Sequence, residues 1–382
     1  MQKFAFTHKL LASACLVGIL MAGTSCEKDN ESTGPVAEMV NFNNVMLSSQ
    51  QEVPENTSNA SGTYSIQYDK TSNQLNYTIN YTGTTPTAMH FHKGDVGTAG
   101  GVEFEVAGPY TSGMKGTAKL TEAQEADLLA GKFYLNVHSA NFAAGELRGQ
   151  AVTEDKVVLS NIKLSGKQEV PANNSNGTGT FNGIYNKTTK KADYTITLNG
   201  LTATAMHLHK AAPGANGDVV MEVTGLKGTT SAFTAAQEAD LLAGNLYLNV
   251  HSAAQPGGEV RGQVVTDQKV VFANKLSGEN EVGPTGSNAT GTIYAVYDKA
   301  TKKLSYNIAF TGTVPTAMHF HKGAAGTNGG VEAEVAGPYT SGMTGSVTLN
   351  ATQEADLLKG LWYLNVHSAA FAGGEIRAQL VK

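Results

Sequence analysis

Cysteine is nearly absent from this chain: there are two, Cys15 and Cys26, both close to the N-terminus. Once a leader is cut at Cys26 no internal disulfide can form, so stability rests on packing even in an oxidising compartment. Blocks of basic residues are also missing. The net charge is −5 with charges scattered along the chain, which excludes the electrostatic footprint of a nucleic-acid binder. Long apolar runs are missing beyond Leu10–Ala22, and that stretch falls short of the roughly 20 residues that span a bilayer. What is plentiful is glycine, 43 residues, with Thr, Asn and Ser around short apolar runs. That pattern favours many strands joined by turns over long helices.

The N-terminus reads as a targeting segment. Lys3 and Lys9 precede the apolar stretch, and Gly23-Thr24-Ser25-Cys26 and the polar run Glu27-Lys28-Asp29-Asn30-Glu31 follow it. Residues 1–26 resemble a bacterial lipoprotein signal, in which cleavage precedes a cysteine that is then diacylated. Gly23 departs from the aliphatic residue usual three positions before that cysteine. The resemblance implies lipidation of Cys26 and a chain held by lipid at the outer membrane or cell surface. Residues 27–40 are expected to form a flexible tether.

The rest of the chain repeats. Ala88–Gly94, "AMHFHKG", recurs as "AMHLHKA" at Ala205 and unchanged at Ala317; "YLNVHSA" recurs at Tyr134, Tyr247 and Tyr363; "GELRGQ" at Gly145 becomes "GEVRGQ" at Gly258 and "GEIRAQ" at Gly374. The repeats lie about 112–117 residues apart, too far for a solenoid unit and suited to a whole domain. Three domains follow: 41–153, 154–266 and 267–382. No Pro- or Gly-rich spacer separates them, so short linkers and a restricted, beaded arrangement are expected. Period-two runs such as "GTYSIQYD" and "QLNYTINYTG" read as strand pairs. Thr121-Glu-Ala-Gln124 and Thr234-Ala-Ala-Gln237 fit capping boxes, with Asn350 as the third cap, and Gly131, Gly244 and Gly360 fit helix stops. The fold class predicted is mainly β: three tandem antiparallel, Greek-key-like β-sandwich domains, each with one short helix.

Of ten histidines, His8 lies in the leader and all others fall in the repeated motifs: His90, His92 and His138; His207, His209 and His251; His319, His321 and His367. Met89 and Phe91 alternate with His90 and His92, and Leu135 and Val137 alternate with Asn136 and His138. The apolar set must seek the core, so the imidazoles share the opposite face. An i, i+2 pair plus one imidazole from a neighbouring strand makes a three-nitrogen site for copper or, second, zinc. Without a fixed carboxylate, a hydrogen-bonded polar cluster is the alternative. Arg148, Arg261 and Arg377 each follow the last histidine of their copy, either paired with the neighbouring Glu on a solvated face or facing an anion beside the cluster. Tyr134, Tyr247 and Tyr363 either flank the histidines or stack within the sheet. Glu52, Glu169 and Glu281 are assigned a turn or strand-edge role.

Together "LSGKQEVP", "AMHFHKG", "YLNVHS" and "GGEIRAQ" resemble the CHRD domain, named for the secreted protein chordin and found in bacterial secreted proteins. The resemblance spans about residues 41–382 and implies extracellular β-sandwich modules. A weaker resemblance is to copper-zinc superoxide dismutase: His90 and His92 match its His-x-His pair, His138 its later copper ligand, and Arg148 its substrate-attracting arginine. The fourth copper histidine, the zinc histidines and the disulfide are absent, which counts against dismutase activity. The expectation is a non-catalytic, membrane-anchored binding protein for an extracellular protein or polysaccharide. The alternative is a copper or zinc protein with one three-histidine site per domain. No nucleophile–base motif supports hydrolase chemistry.

Overall fold

Alternation along each strand sorts the first copy into two facing layers. A computed structural model describes residues 37–382, and in it the copy comprises β1 (Met39–Ser48), β2 (Ser61–Asp69), β3 (Gln74–Thr82), β4 (Pro86–Lys93), β5 (Val102–Glu105), β6 (Met114–Lys119), α1 (Glu122–Leu129), β7 (Phe133–Ser139) and β8 (Leu147–Gln150). The sheet order is β5-β4-β7-β8-β1-β2-β3-β6, with antiparallel neighbours. β8 and β1 share only the pair Ser48↔Arg148. The sheet folds over at this narrow seam into two four-stranded layers. Phe42, Tyr64, Ile66 and Ile79 from one layer meet Met89, Phe91, Leu135 and Val137 from the other in a single core. The second and third copies repeat the sheet order and the core. The mainly β, sandwich-like class expected from the sequence is the one observed.

Each copy has one α-helix, Glu122–Leu129, Ala235–Ala243 and Ala351–Leu358, linking the two layers, and a single 3-10 turn, Ser49–Gln51, Gly166–Gln168 and Gly278–Asn280. Thr121 Oγ1 accepts from the Gln124 amide at 3.2 Å while Gln124 Oε1 accepts from the Thr121 amide at 3.0 Å, closing the capping box. Asn350 does the same work in the third copy, accepting from Gln353 at 2.9 Å. The chain leaves the helices through Gly131, Gly244 and Gly360 at φ of 76°, 81° and 72°, a left-handed turn that glycine adopts without strain.

The expected leader, the lipidation expected at Cys26 and the expected tether up to residue 36 lie outside the described residues. Met39 and Val40, expected in the tether, already belong to β1. The three copies also differ from a string of beads, because residues 37–382 form one compact unit. Asn161 Nδ2 donates to the Glu52 carbonyl of the first copy at 2.9 Å, and Tyr294 Oη donates to the Glu169 carbonyl of the second at 2.8 Å. Lys163 and Lys382 both reach Glu55, at 3.1 and 3.4 Å. The linkers, 151–155 and 265–268, are short, as expected. A cavity of about 630 Å³ lies where the copies meet, lined among others by Gln50, Asn161, Asp267 and Lys382, and includes none of the histidines.

Candidate metal centre

Strand register brings the histidines together. β4 and β7 are paired so that Ala88 faces His138, His90 faces Asn136 and His92 faces Tyr134. His90, His92 and His138 therefore share one outer sheet face, with Met89, Phe91, Leu135 and Val137 fully buried on the other. Ring centroids are 5.6 Å apart for His90–His92, 5.0 Å for His90–His138 and 6.3 Å for His92–His138. The second copy gives 5.9, 5.1 and 6.5 Å and the third 5.7, 5.0 and 6.2 Å. In every copy one nitrogen from each ring lies within 4.8 Å of the other two.

Backbone carbonyls decide which nitrogens remain free. A carbonyl only accepts, so His92 Nδ1 donates to Gly100 O at 3.0 Å and His138 Nδ1 donates to Ala143 O at 3.1 Å. Both rings then carry their lone pair on Nε2. His90 Nδ1 donates to His138 Nε2 at 3.2 Å, and the buried His92 Nε2 has no partner among the described residues. The same pattern recurs at His207, His209 and His251 and at His319, His321 and His367, where His209 Nε2 and His321 Nε2 are again buried and unpartnered. Burial holds His92, His138, His209, His321 and His367 below the usual imidazole range, and neighbouring imidazoles contribute in the same direction. Those five are neutral near pH 7, the form that ligates metal.

A stack of three side chains supports the site. The Tyr134 ring lies 5.0 Å from His92 at 10°, and the Arg148 guanidinium covers the ring's other face at 3.6 Å. Tyr247 with His209 and Arg261, and Tyr363 with His321 and Arg377, repeat it. Tyr134, expected either to flank the histidines or to stack, does both.

Arg148 corrects both expectations made for it. It is 2% exposed and donates to Asp95 O, Thr98 O and Gln150 Oε1 at 2.9–3.0 Å, so it neither faces an anion nor pairs with Glu146 on a wet surface. Arg261 and Arg377 are equally buried, and Arg377 binds the carbonyls of Ala324 and Thr327. The loop after β4 folds back over the sheet and covers the strand face that alternation alone leaves to solvent. Glu146 instead accepts from the hydroxyls of Ser58 and Thr84.

Glu52, assigned a turn role on sequence, does more. It is 4% exposed, and burial pushes its carboxyl up to about 7 against the pull of Arg148 and a hydrogen bond from Asn136. Its Oε1 and Asn136 Oδ1 are both buried without a partner, and both lie within 2.8 Å of where a Cβ on Gly145 would sit. Glu169 and Glu281 are raised to about 7 for the same first cause, burial. Only the period-two position of Asn136 beside His138 hints at this second polar layer.

The donor set suits a transition-metal ion. Metal–imidazole bonds of about 2.0–2.1 Å in tetrahedral geometry separate neighbouring nitrogens by about 3.3 Å, close to the 3.2 Å between His90 Nδ1 and His138 Nε2; to ligate, His90 would carry its proton on Nε2 and give up its hydrogen bond to His138. The unpartnered Nε2 of His92 would supply the third nitrogen. What the fold and site define is thus an antiparallel β-sandwich module with a tri-imidazole cluster on one outer face, present three times. The family model for the CHRD domain matches residues 44–151, 161–264 and 272–380. The chain belongs to the CHRD domain family, in three tandem copies. No curated protein and no solved structure matches it.

Proposed function

We propose that this is an extracytoplasmic, non-catalytic binding protein whose three CHRD domains each hold one transition-metal ion, copper ahead of zinc. The ligands in the first copy are His90, His92 and His138, with His207, His209 and His251 and then His319, His321 and His367 in the others. The observation that carries this reading is the buried, unpartnered Nε2 repeated at His92, His209 and His321. A buried polar atom left without a partner costs stability, and three repetitions of the same cost point to a ligand that offsets it. Copper leads because divalent copper binds nitrogen sites more tightly than its neighbours in the series. Residues 1–26 support anchoring through Cys26 to the outer membrane or cell surface; fatty-acid labelling that persists in Cys26→Ala would refute that anchor.

Metal analysis and copper titration of chain expressed in the periplasm test the metal reading. Three equivalents are expected, one per cluster, collapsing in the His92→Ala, His209→Ala, His321→Ala triple variant. A chain that retains no copper or zinc after dialysis would defeat it. Binding of an extracellular protein or polysaccharide by three linked modules would then remain.

A further inference from the structure

The residues that hold each histidine site do not all belong to its own copy. The loops 94–101, 211–218 and 323–330 each supply the carbonyl that orients a site histidine: Gly100 for His92, Gly217 for His209 and Gly329 for His321, all at 3.0 Å. In the first copy this loop is pressed against the second. A Cβ built on Gly97 would lie 2.3 Å from the Asn182 side chain, and Asp95 pairs with Lys227 at 3.1 Å. In the second copy the equivalent Gly214 sits under the Tyr294 ring of the third, where a built Cβ would lie 2.6 Å away. In the third copy the equivalent Gly326 has nothing within 4 Å, and residues 324–330 are exposed.

The back sheets of the three copies differ in the way these contacts require. Ser65, Asn182 and Tyr294 occupy one position of the repeat, and Gln67, Ile184 and Val296 another. The first copy, which covers no such loop among the described residues, is polar at both and exposes Gln67. The second and third place a buried Asn182 or Tyr294 against the loop of the preceding copy.

We propose that Asn182 and Tyr294 are positioning residues for the metal sites of the preceding copies, so that the sites are held in series and the third is the labile one. The inference rests on the metal reading above. By packing on the loop from outside, each positioning residue limits how far the Gly100 or Gly217 carbonyl can drift from its imidazole. Partners that orient a ligating histidine typically change metal affinity by about 10–100-fold when lost. Among the described residues the third site has no such brace.

The test uses the whole chain in three variants that each keep one site: His209→Ala/His321→Ala, His92→Ala/His321→Ala, and His92→Ala/His209→Ala. Copper(II) release to excess EDTA is followed by stopped-flow absorbance. The variant keeping the third site should release copper about tenfold or more faster than the other two. Adding Tyr294→Ala should bring the second site to the third site's rate and leave the first unchanged, while Tyr294→Phe, which keeps the ring over Gly214, should restore slow release. Equal rates at all three sites, or a Tyr294→Ala effect of the same size on the first site, would overturn the proposal. If no variant binds copper, the metal reading fails. Amide hydrogen exchange then judges the bracing alone, with loop 323–330 expected to exchange fastest and equal exchange in the three loops refuting it.

Discussion

Replacing Glu52 by glutamine tests the buried carboxyl most directly. In the folded chain Glu52 titrates at about 7 rather than at its ordinary 4.5, chiefly because burial disfavours the charged form. The folded state therefore binds this proton more tightly than the unfolded state does. Stability contributed by the neutral carboxyl is fully present below pH 4.5 and is lost as the pH rises through 7. The slope is about 1.4 kcal/mol per pH unit between the two values, a total of about 3 kcal/mol by pH 8. The substituted glutamine would keep the shape and the hydrogen bond from Asn136 Nδ2, and could offer an amide donor where Oε1 now has no partner. Urea denaturation of metal-free chain from pH 4 to pH 8.5, monitored on the first copy by hydrogen exchange, measures the difference between variant and wild type. His92 and His138, whose depressed values make stability rise with pH toward 6.5, contribute to both proteins and cancel. Glu52→Gln should be most favoured at pH 8 and lose that advantage toward pH 4. A difference that stays flat with pH would refute the buried, neutral carboxyl.

Three further outcomes follow from the same geometry. Gly145→Ala should destabilise the first copy by about 1–3 kcal/mol, since φ there is 135° and a Cβ would lie 2.7 Å from Asn136 Oδ1; unchanged thermal unfolding would contradict it. Arg148→Met should cost about 3 kcal/mol or more, because the carbonyls of Asp95 and Thr98 lose their donors, and it should speed hydrogen exchange in loop 94–101; protection equal to wild type would show that the arginine does not hold the loop. Arg148→Lys should recover little of this, lacking the planar group that stacks on Tyr134. Thr121→Ala should lower stability by about 1 kcal/mol through the lost cap, and Thr121→Asn should be nearly neutral, since Asn350 already caps the third helix; denaturant midpoints would decide.

Much of the site is legible in the sequence because a strand has a period of two. Met89 and Phe91 have to enter the core, which places His90 and His92 together, and the recurrence of His138, His251 and His367 in one motif marks a common neighbour. The same periodicity misreads Arg148. Alternation says which face a side chain takes, and it is silent on whether a loop returns to cover that face. Glu52 carries no periodic signal, so its burial beneath the loop before β8 is invisible in the sequence. Its counterparts Glu169 and Glu281 share the motif without revealing its environment.

Sequence pattern alone determined the threefold repetition, through motifs that recur along the chain, and the strands, the capped helices and the sorting of histidines from core residues, through periods and caps that span a few positions. Tertiary structure alone decided which imidazole nitrogens stay free, how Tyr134 is clamped between His92 and Arg148, and how each loop meets the next copy. Those outcomes depend on the register between strands far apart in sequence and on packing between domains. Neither leaves a period in the amino-acid order.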